Sequence, residues 1–593
     1  MSRVASIRLL TAAFLVVCFI SPGRVAAGGL EYTAAGATAL GRGGAVTARA
    51  DDPMVLSYNP AGLVELRGSQ LLLDVNIATM SACVDPYGYY GWGVYGGGHP
   101  SSIPDAATGA RNNIPLGTPP ASASANAYYN DPLDTVCMNQ HVAPVPQLLV
   151  TSRLSDKLGI GGGLAFPAMS PTGQWGDSNG VIHGKTGELR PAATRYMLMN
   201  AGNLGIFPTF GLAYRVTPWL RVGGAFEWGM VWVDSTQMAG VGPGTSPDND
   251  VIAHIKGHDY FIPGFTGSVH VVPNDNLDVV AAFRYQDSVD ATGNLDLTTG
   301  VFGADTVAHT TRHLNVLSIK QNMPWKLRGG VRYSSRLAPR PTGTGAGDAN
   351  AFPSKRVHDA MEDERWDVEV DAEYQINSRN QAQTISYQPN QLVAFQGKPM
   401  GNMPGAVTTA AFPDFTAVTT TIDKRWKDQI SLRVGSTYNV LPGLFSVMGG
   451  VHYENRGVDP AYMQIDFWPV QRIGLHGGVT FRLFGTTDLV VSYAHIFDET
   501  MVVAAPSHLD ATTIYNNTPI GQAPTNIDKS VGIAGRGTLP PLEELNKPTA
   551  PDGVARVKQV TTKSPAGQPP YIINSGIYRS SMNVVAIGVH GHF

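Results

Sequence analysis

"RWDVEVDAEYQIN", residues 365–377, places Asp367, Glu369, Asp371, Glu373 and Gln375 at every second position, with Trp366, Val368, Val370, Ala372, Tyr374 and Ile376 between them. A period of two is the signature of a β-strand with one apolar and one acidic face. In a soluble sandwich the apolar face turns inward. In a membrane barrel it turns toward lipid, and the charges line a wet lumen. The rest of the chain decides between these two geometries.

The dyad repeats in "QLLLDVNIA" (70–78), "LRVGGAFEWGMVW" (220–232), "NLDVVAAFRYQ" (276–286) and "WKLRGGVRYSS" (325–335), and on toward the C-terminus. Aromatic residues recur at the ends of the apolar faces, as a lipid-interface girdle requires. About fourteen strands are expected, near 68–80, 144–154, 158–167, 205–216, 219–233, 260–272, 276–290, 312–335, 364–377, 427–439, 444–455, 468–483, 487–498 and 580–593. Very short turns such as Thr217-Pro218 and Leu441-Pro442-Gly443 join them in pairs. Long polar stretches, about 81–138, 168–203, 233–258, 378–425 and 500–578, separate the pairs. Short turns on one side and long loops on the other are the periplasmic–extracellular asymmetry of an outer-membrane barrel. One connection on the short side, Arg336 to Asp363, is long and hydrophilic.

The ends agree. Arg3 and Arg8 precede an apolar run, Leu9 to Ile20, and Val25-Ala26-Ala27 supplies small residues for cleavage, so residues 1–27 read as a secretory signal peptide. No later run reaches the ~18–20 apolar residues of a membrane helix. The chain closes on "MNVVAIGVHGHF" with Phe593 last, the usual finish of a bacterial outer-membrane strand. Cys83 and Cys137 are the only cysteines after the signal, and an exported pair is read as a disulfide. A net charge of −4 over 593 residues suggests no nucleic-acid partner.

Fourteen strands fall between the ~8 that side chains fill and the 16–18 that leave a channel, so an unplugged barrel would leak. Residues 28–67, rich in Gly and Ala, precede the first strand and read as a hatch inside the lumen, with Asp52-Pro53 opening a short helix to about Tyr58. "ALGRGGAVTARADDPMVLSYNPAGL" (39–63), with Asn59-Pro60-Ala61, resembles the hatch of the FadL/TodX outer-membrane transporters of long-chain fatty acids and aromatic hydrocarbons. "LSDKLGIGGGLAFP", "PTFGLAYRVTPWLRVGGAFEW", "MPWKLRGGVRY" and "WKDQISLRVGSTYNV" extend the resemblance over residues 68–593, the outer loops excepted. It implies a fourteen-stranded barrel with a hatch, an apolar pocket reached by the N-terminus, and exit sideways through the wall at a kinked third strand.

Two site readings follow from the residues. Gly161-Gly162-Gly163 on the third strand permits a kink, and the inward face of that strand (Gly159, Gly161, Gly163, Ala165) has almost no side-chain volume; small lumen faces are also common in barrels. The acidic stripe Asp367, Glu369, Asp371 and Glu373 faces Lys326, Arg328 and Arg332 of the preceding strand across a cross-strand ladder. That ladder is either a polar wall that binds the hatch or a source of a spare cation. Arg284, Lys326, Arg328 or Arg332 could then hold a carboxylate.

"GDSNG" (176–180) matches a nucleophile-elbow pattern but sits in a polar loop without the strand–turn–helix that the chemistry needs. No cofactor and no metal site is expected, since no His/Cys cluster has ligand spacing. The expected role is passive uptake of fatty acids or other hydrophobic compounds. The alternatives are an outer-membrane lipolytic enzyme, a surface-binding barrel without transport, and a wet general porin. The expected partners are the hydrophobic molecule, outer-membrane lipid with lipopolysaccharide, and the barrel-assembly machinery, around a monomer.

Overall fold

The computed structural model describes residues 34–86, 133–139, 143–165, 173–184, 189–240, 250–299, 312–337, 359–387, 394–396, 409–411, 419–503, 574 and 576–593. The signal peptide and its cleavage point lie outside these residues.

Fourteen antiparallel strands form the wall: β1 (Ser69–Pro86), β2 (Ala143–Arg153), β3 (Leu158–Ala165), β4 (Pro208–Thr217), β5 (Leu220–Gly240), β6 (Asp250–Asn274) and β7 (Leu277–Gln286), then β8 (Trp325–Arg336), β9 (Glu364–Ile376), β10 (Gln429–Leu441), β11 (Phe445–Glu454), β12 (Arg472–Leu483), β13 (Thr487–Asp498) and β14 (Gly576–His592). Each pairs with the next, and β14 closes on β1 from Gln70↔His592 to Pro86↔Gly576. Closure leaves the wall without an edge, which a bilayer requires because lipid offers no hydrogen bonds to a bare backbone.

The inversion posed by residues 365–377 resolves on β9. Trp366, Val368, Val370 and Tyr374 are 38–51% exposed on the outside, while Asp367, Glu369, Asp371 and Glu373 are at most 2% exposed on the inside. Phe210, Trp219, Trp228, Tyr260 and Phe261 continue the outward apolar surface around the wall.

Several boundaries differ from expectation. The stretch 233–258 was expected to be loop, yet β5 and β6 remain paired from Val231↔Asp259 to Gly240↔Asp250. A strand that rises above the membrane meets water and is free to carry polar residues, so its sequence reads as loop. The expected strand 312–335 is two. Asn322-Met323-Pro324 interrupts it, and Arg312–Gln321 pairs instead with Val289–Thr299, which itself pairs with the first part of β6. Pro324 has no N–H to offer a ladder there. Finally, β7 ends at Gln286, short of the expected 290.

Residues 34–67 run inside this wall. Helix α1 (Ala37–Gly41), a turn at Gly43-Gly44, helix α2 (Val55–Tyr58) and a 3-10 turn over Pro60–Val64 are almost wholly buried. Gly43 (φ 67°) and Gly44 (φ 80°) take the left-handed conformation that favours glycine, where a Cβ on Gly43 would lie 2.9 Å from the Val451 backbone nitrogen.

Candidate functional site

The acidic stripe holds the N-terminal segment. Asp371 Oδ2 accepts from the backbone N–H of Val46 (3.1 Å) and Thr47 (2.9 Å), and Glu369 Oε1 accepts from Ala48 N–H at 2.6 Å. Asp367 receives Arg42 Nη1 at 2.8 Å, Arg49 Nη1 at 2.9 Å and Arg332 Nε at 2.6 Å. Asp367 and Glu369 thereby meet the condition that burial imposes on charge, namely ionic partners with hydrogen bonds, while Asp371 is held by main-chain donors.

Three of the four cations considered for a substrate carboxylate are paired with protein carboxylates. Arg284 binds Glu227 through Nη2 at 2.7 Å, Arg328 binds Glu373, and Arg332 binds Glu364 as well as Asp367. Lys326 is 6% exposed beside the same cluster. The register sets Arg332 opposite Glu369, yet its guanidinium turns to Asp367, because Glu369 is already taken by Ala48 N–H and Arg42.

Asn59-Pro60-Ala61 meets the opposite wall. Ala61 N–H donates to Ser268 Oγ at 2.8 Å, and Pro60 opens the 3-10 turn. Asn59 Nδ2 lies 3.4 Å from His270 Nδ1, and His270 Nε2 lies 2.9 Å from Asp278 Oδ1, a chain that the Nε2–H tautomer satisfies. Asp278 is 3.6 Å from Arg332, so the Asn-Pro-Ala corner and the acidic stripe share one polar network. Glu65 adds a second anchor through Arg221 (2.7 Å) and Arg215 (2.8 Å). The sequence reading missed Arg42, Arg49, Glu65, Arg221 and His270. The only signal was an inward parity on the strands and charges inside an otherwise small-residue segment.

The glycine run on β3 also meets this segment. A Cβ on Gly159 would lie 2.5 Å from the Leu63 carbonyl oxygen, so the bare inner face of β3 is filled by the 3-10 turn. Gly163 has φ 149°, yet β3 stays paired with β2 from Arg153↔Gly159 to Gln147↔Ala165 and with β4 from Tyr214↔Leu158 to Pro208↔Leu164. Phe166 and Pro167 lie outside the described residues. Cys83 and Cys137 face each other and form a disulfide. Ser178 sits in a turn that Asp177 closes by accepting from Asn179 and Val181 N–H.

Among the described residues, one cavity borders the segment and another, which none of residues 34–67 lines, lies among the long-loop strands. On the short-turn side a space of about 50 Å³ is lined by charged groups, among them Arg49, Asp52, Asp359, Arg482, Asp488 and His590. On the long-loop side a chamber of about 40 Å³ is lined by Met197, Val233, Ile255, Ile319, Ile385 and Ile422 together with polar groups that include Gln464 and Asp466. Trp175 stacks on Trp468 at 6.0 Å, Trp468 lies against Tyr578 at 5.9 Å, and the Tyr578 hydroxyl meets the sulfur of the lining residue Met197 at 3.6 Å.

A family model described as "Outer membrane protein transport protein (OMPP1/FadL/TodX)" matches residues 19–525. The chain belongs to the FadL/TodX family. It is therefore an outer-membrane transport protein and not an enzyme. The fold agrees with a Pseudomonas aeruginosa FadL homologue, at TM-score 0.58 and 14% identity over 96% of this chain and 100% of that one. It agrees also with the P. putida toluene transporter TodX, at TM-score 0.50 and 10% identity over 95% and 99%. No curated protein matches the sequence.

Proposed function

We propose that this FadL/TodX member carries hydrophobic small molecules across the outer membrane passively. The molecule is captured among the extracellular loops, lodges in the apolar chamber, and leaves when the N-terminal segment shifts. The observation that carries this reading is the isoleucine- and methionine-lined chamber on the extracellular side of a lumen crossed by residues 34–67. At about 40 Å³ the chamber is far below the ~300 Å³ of an occupied ligand site, so binding requires its walls to move.

Release sideways beside β3 fits the same geometry. The axial route to the periplasm runs past Arg49, Asp52, Arg482 and Asp488, where an apolar molecule would strip water from charges. A lateral route needs β3 to part from a neighbour, and four of its eight described residues are glycine, which leaves it few side-chain contacts to hold one. The protein acts as a monomer, placed by the barrel-assembly machinery in a bilayer faced with lipopolysaccharide.

Reconstitution in liposomes tests the proposal. Hydrophobic compounds should enter in a protein-dependent way while small sugars cause no swelling. Sugar-driven swelling without a gain in hydrophobic uptake would make it a wet porin and end the reading.

A further inference from the structure

The polar lining of the extracellular chamber has a definite charge order. Ser235, Gln237, Gln383, Gln464 and Asp466 contribute to it, and among the described lining residues none is Lys, Arg or His. Behind them Lys424 Nζ donates to Gln464 Oε1 at 2.8 Å and pairs with Asp466. The Lys424 side chain is 2% exposed and that of Asp466 is 20% exposed, so the anion of this pair faces the cavity and the cation is sealed behind it. Asp466 Oδ1 also accepts from Phe467 N–H at 2.9 Å. A carboxylate offers about four acceptor positions, so Asp466 keeps room to accept one more donor from the cavity side.

We infer that the chamber selects uncharged hydrophobic molecules that carry a hydroxyl group, and turns away their carboxylates. This rests on the transport reading above and names its substrate class. A hydroxyl beside Asp466 donates to its carboxylate while its chain lies along Ile255, Ile319 and Ile422. A fatty-acid anion in the same pose sets one carboxylate against another where water is sparse, and like charges at close range discriminate strongly. The luminal arginines give no refuge lower down, since Arg284, Arg328 and Arg332 each bind a carboxylate of the protein.

The test compares uptake of labelled 1-dodecanol and dodecanoate at pH 8, where the acid is ionised, by cells that carry the protein and by vector controls. Wild type should take up the alcohol at least roughly tenfold faster than the anion, a preference worth about 1.4 kcal/mol. Asp466→Asn should bring the ratio toward one by admitting the anion, and Asp466→Glu should keep the wild-type ratio, which separates lost charge from lost folding. Equal uptake of both by wild type, or a ratio unmoved in Asp466→Asn, overturns the inference and leaves transport standing. Uptake of neither above the vector control overturns transport itself, and this inference with it.

Discussion

Arg42 Nη1 lies 2.8 Å from Asp367 Oδ1, and both side chains are wholly excluded from solvent, although 325 residues separate them in sequence. The pair ties the N-terminal segment to the start of β9. Arg49 and Arg332 bind the same carboxylate, so Asp367 compensates three guanidinium groups.

Asp367→Ala should therefore cost more than Arg42→Ala. The first leaves three buried cations without a shared anion, and removing one partner of a buried pair costs on the order of 3–5 kcal/mol. The second leaves Asp367 with two arginines. Urea unfolding in detergent measures both. A cost for Asp367→Ala no larger than that of Asp156→Ala, whose side chain is 59% exposed beside Arg153, would contradict the anchor.

Asp52 gives a pH signature. Burial pushes its carboxyl up to about 6 from 3.8, against the opposing pull of His590. A carboxyl raised in the fold takes up protons more readily folded than unfolded. Its contribution to stability is fully present below about pH 4 and is lost as pH rises through about 6. Asp52→Asn, which keeps the cap on Met54 N–H, should unfold at higher temperature than wild type at pH 7.5, by up to about 3 kcal/mol. The two proteins should converge below pH 4. Curves that stay parallel from pH 4 to 7.5 would show that Asp52 is not buried as described.

Close packing between wall and segment makes a third prediction. A Cβ on Gly159 meets the Leu63 backbone, whereas a Cβ on Gly267 meets nothing within 4 Å. Gly159→Val should lower the thermal transition and open residues 34–67 to protease. Gly267→Ala should stay within about 0.5 kcal/mol of wild type. Equal effects at the two sites would remove the contact from the account.

The wall was legible because alternation survives wherever lipid lies on one side and the lumen on the other. Trp366 and Asp367 announce their faces by parity alone. Legibility failed where that contrast fails. Above the membrane Asp234 and Lys256 have water beside them, so β5 and β6 read as loop. The ion-pair ladder was foreseen by type, Arg328 with Glu373, but not in its detail. The competitor for Glu369 was a backbone N–H at Ala48, and main-chain donors leave no trace in a sequence.

The Cys83–Cys137 bond joins residues 54 apart at the extracellular end of β1. Reductant, or Cys83→Ala with Cys137→Ala, should destabilise this end by about 2–4 kcal/mol and slow migration on a non-reducing gel. Identical migration and melting with and without reductant would mean that the bond does not form in the exported protein.

Ion conductance in a planar bilayer puts the closed lumen to the sharpest test, by comparing wild type with Asp367→Ala/Glu369→Ala, which releases Arg42, Arg49 and Ala48 together. Wild type should show no steady pore, and the folded double variant should open one. A wild type that conducts as an open barrel, or a folded variant as silent as its parent, would contradict the account.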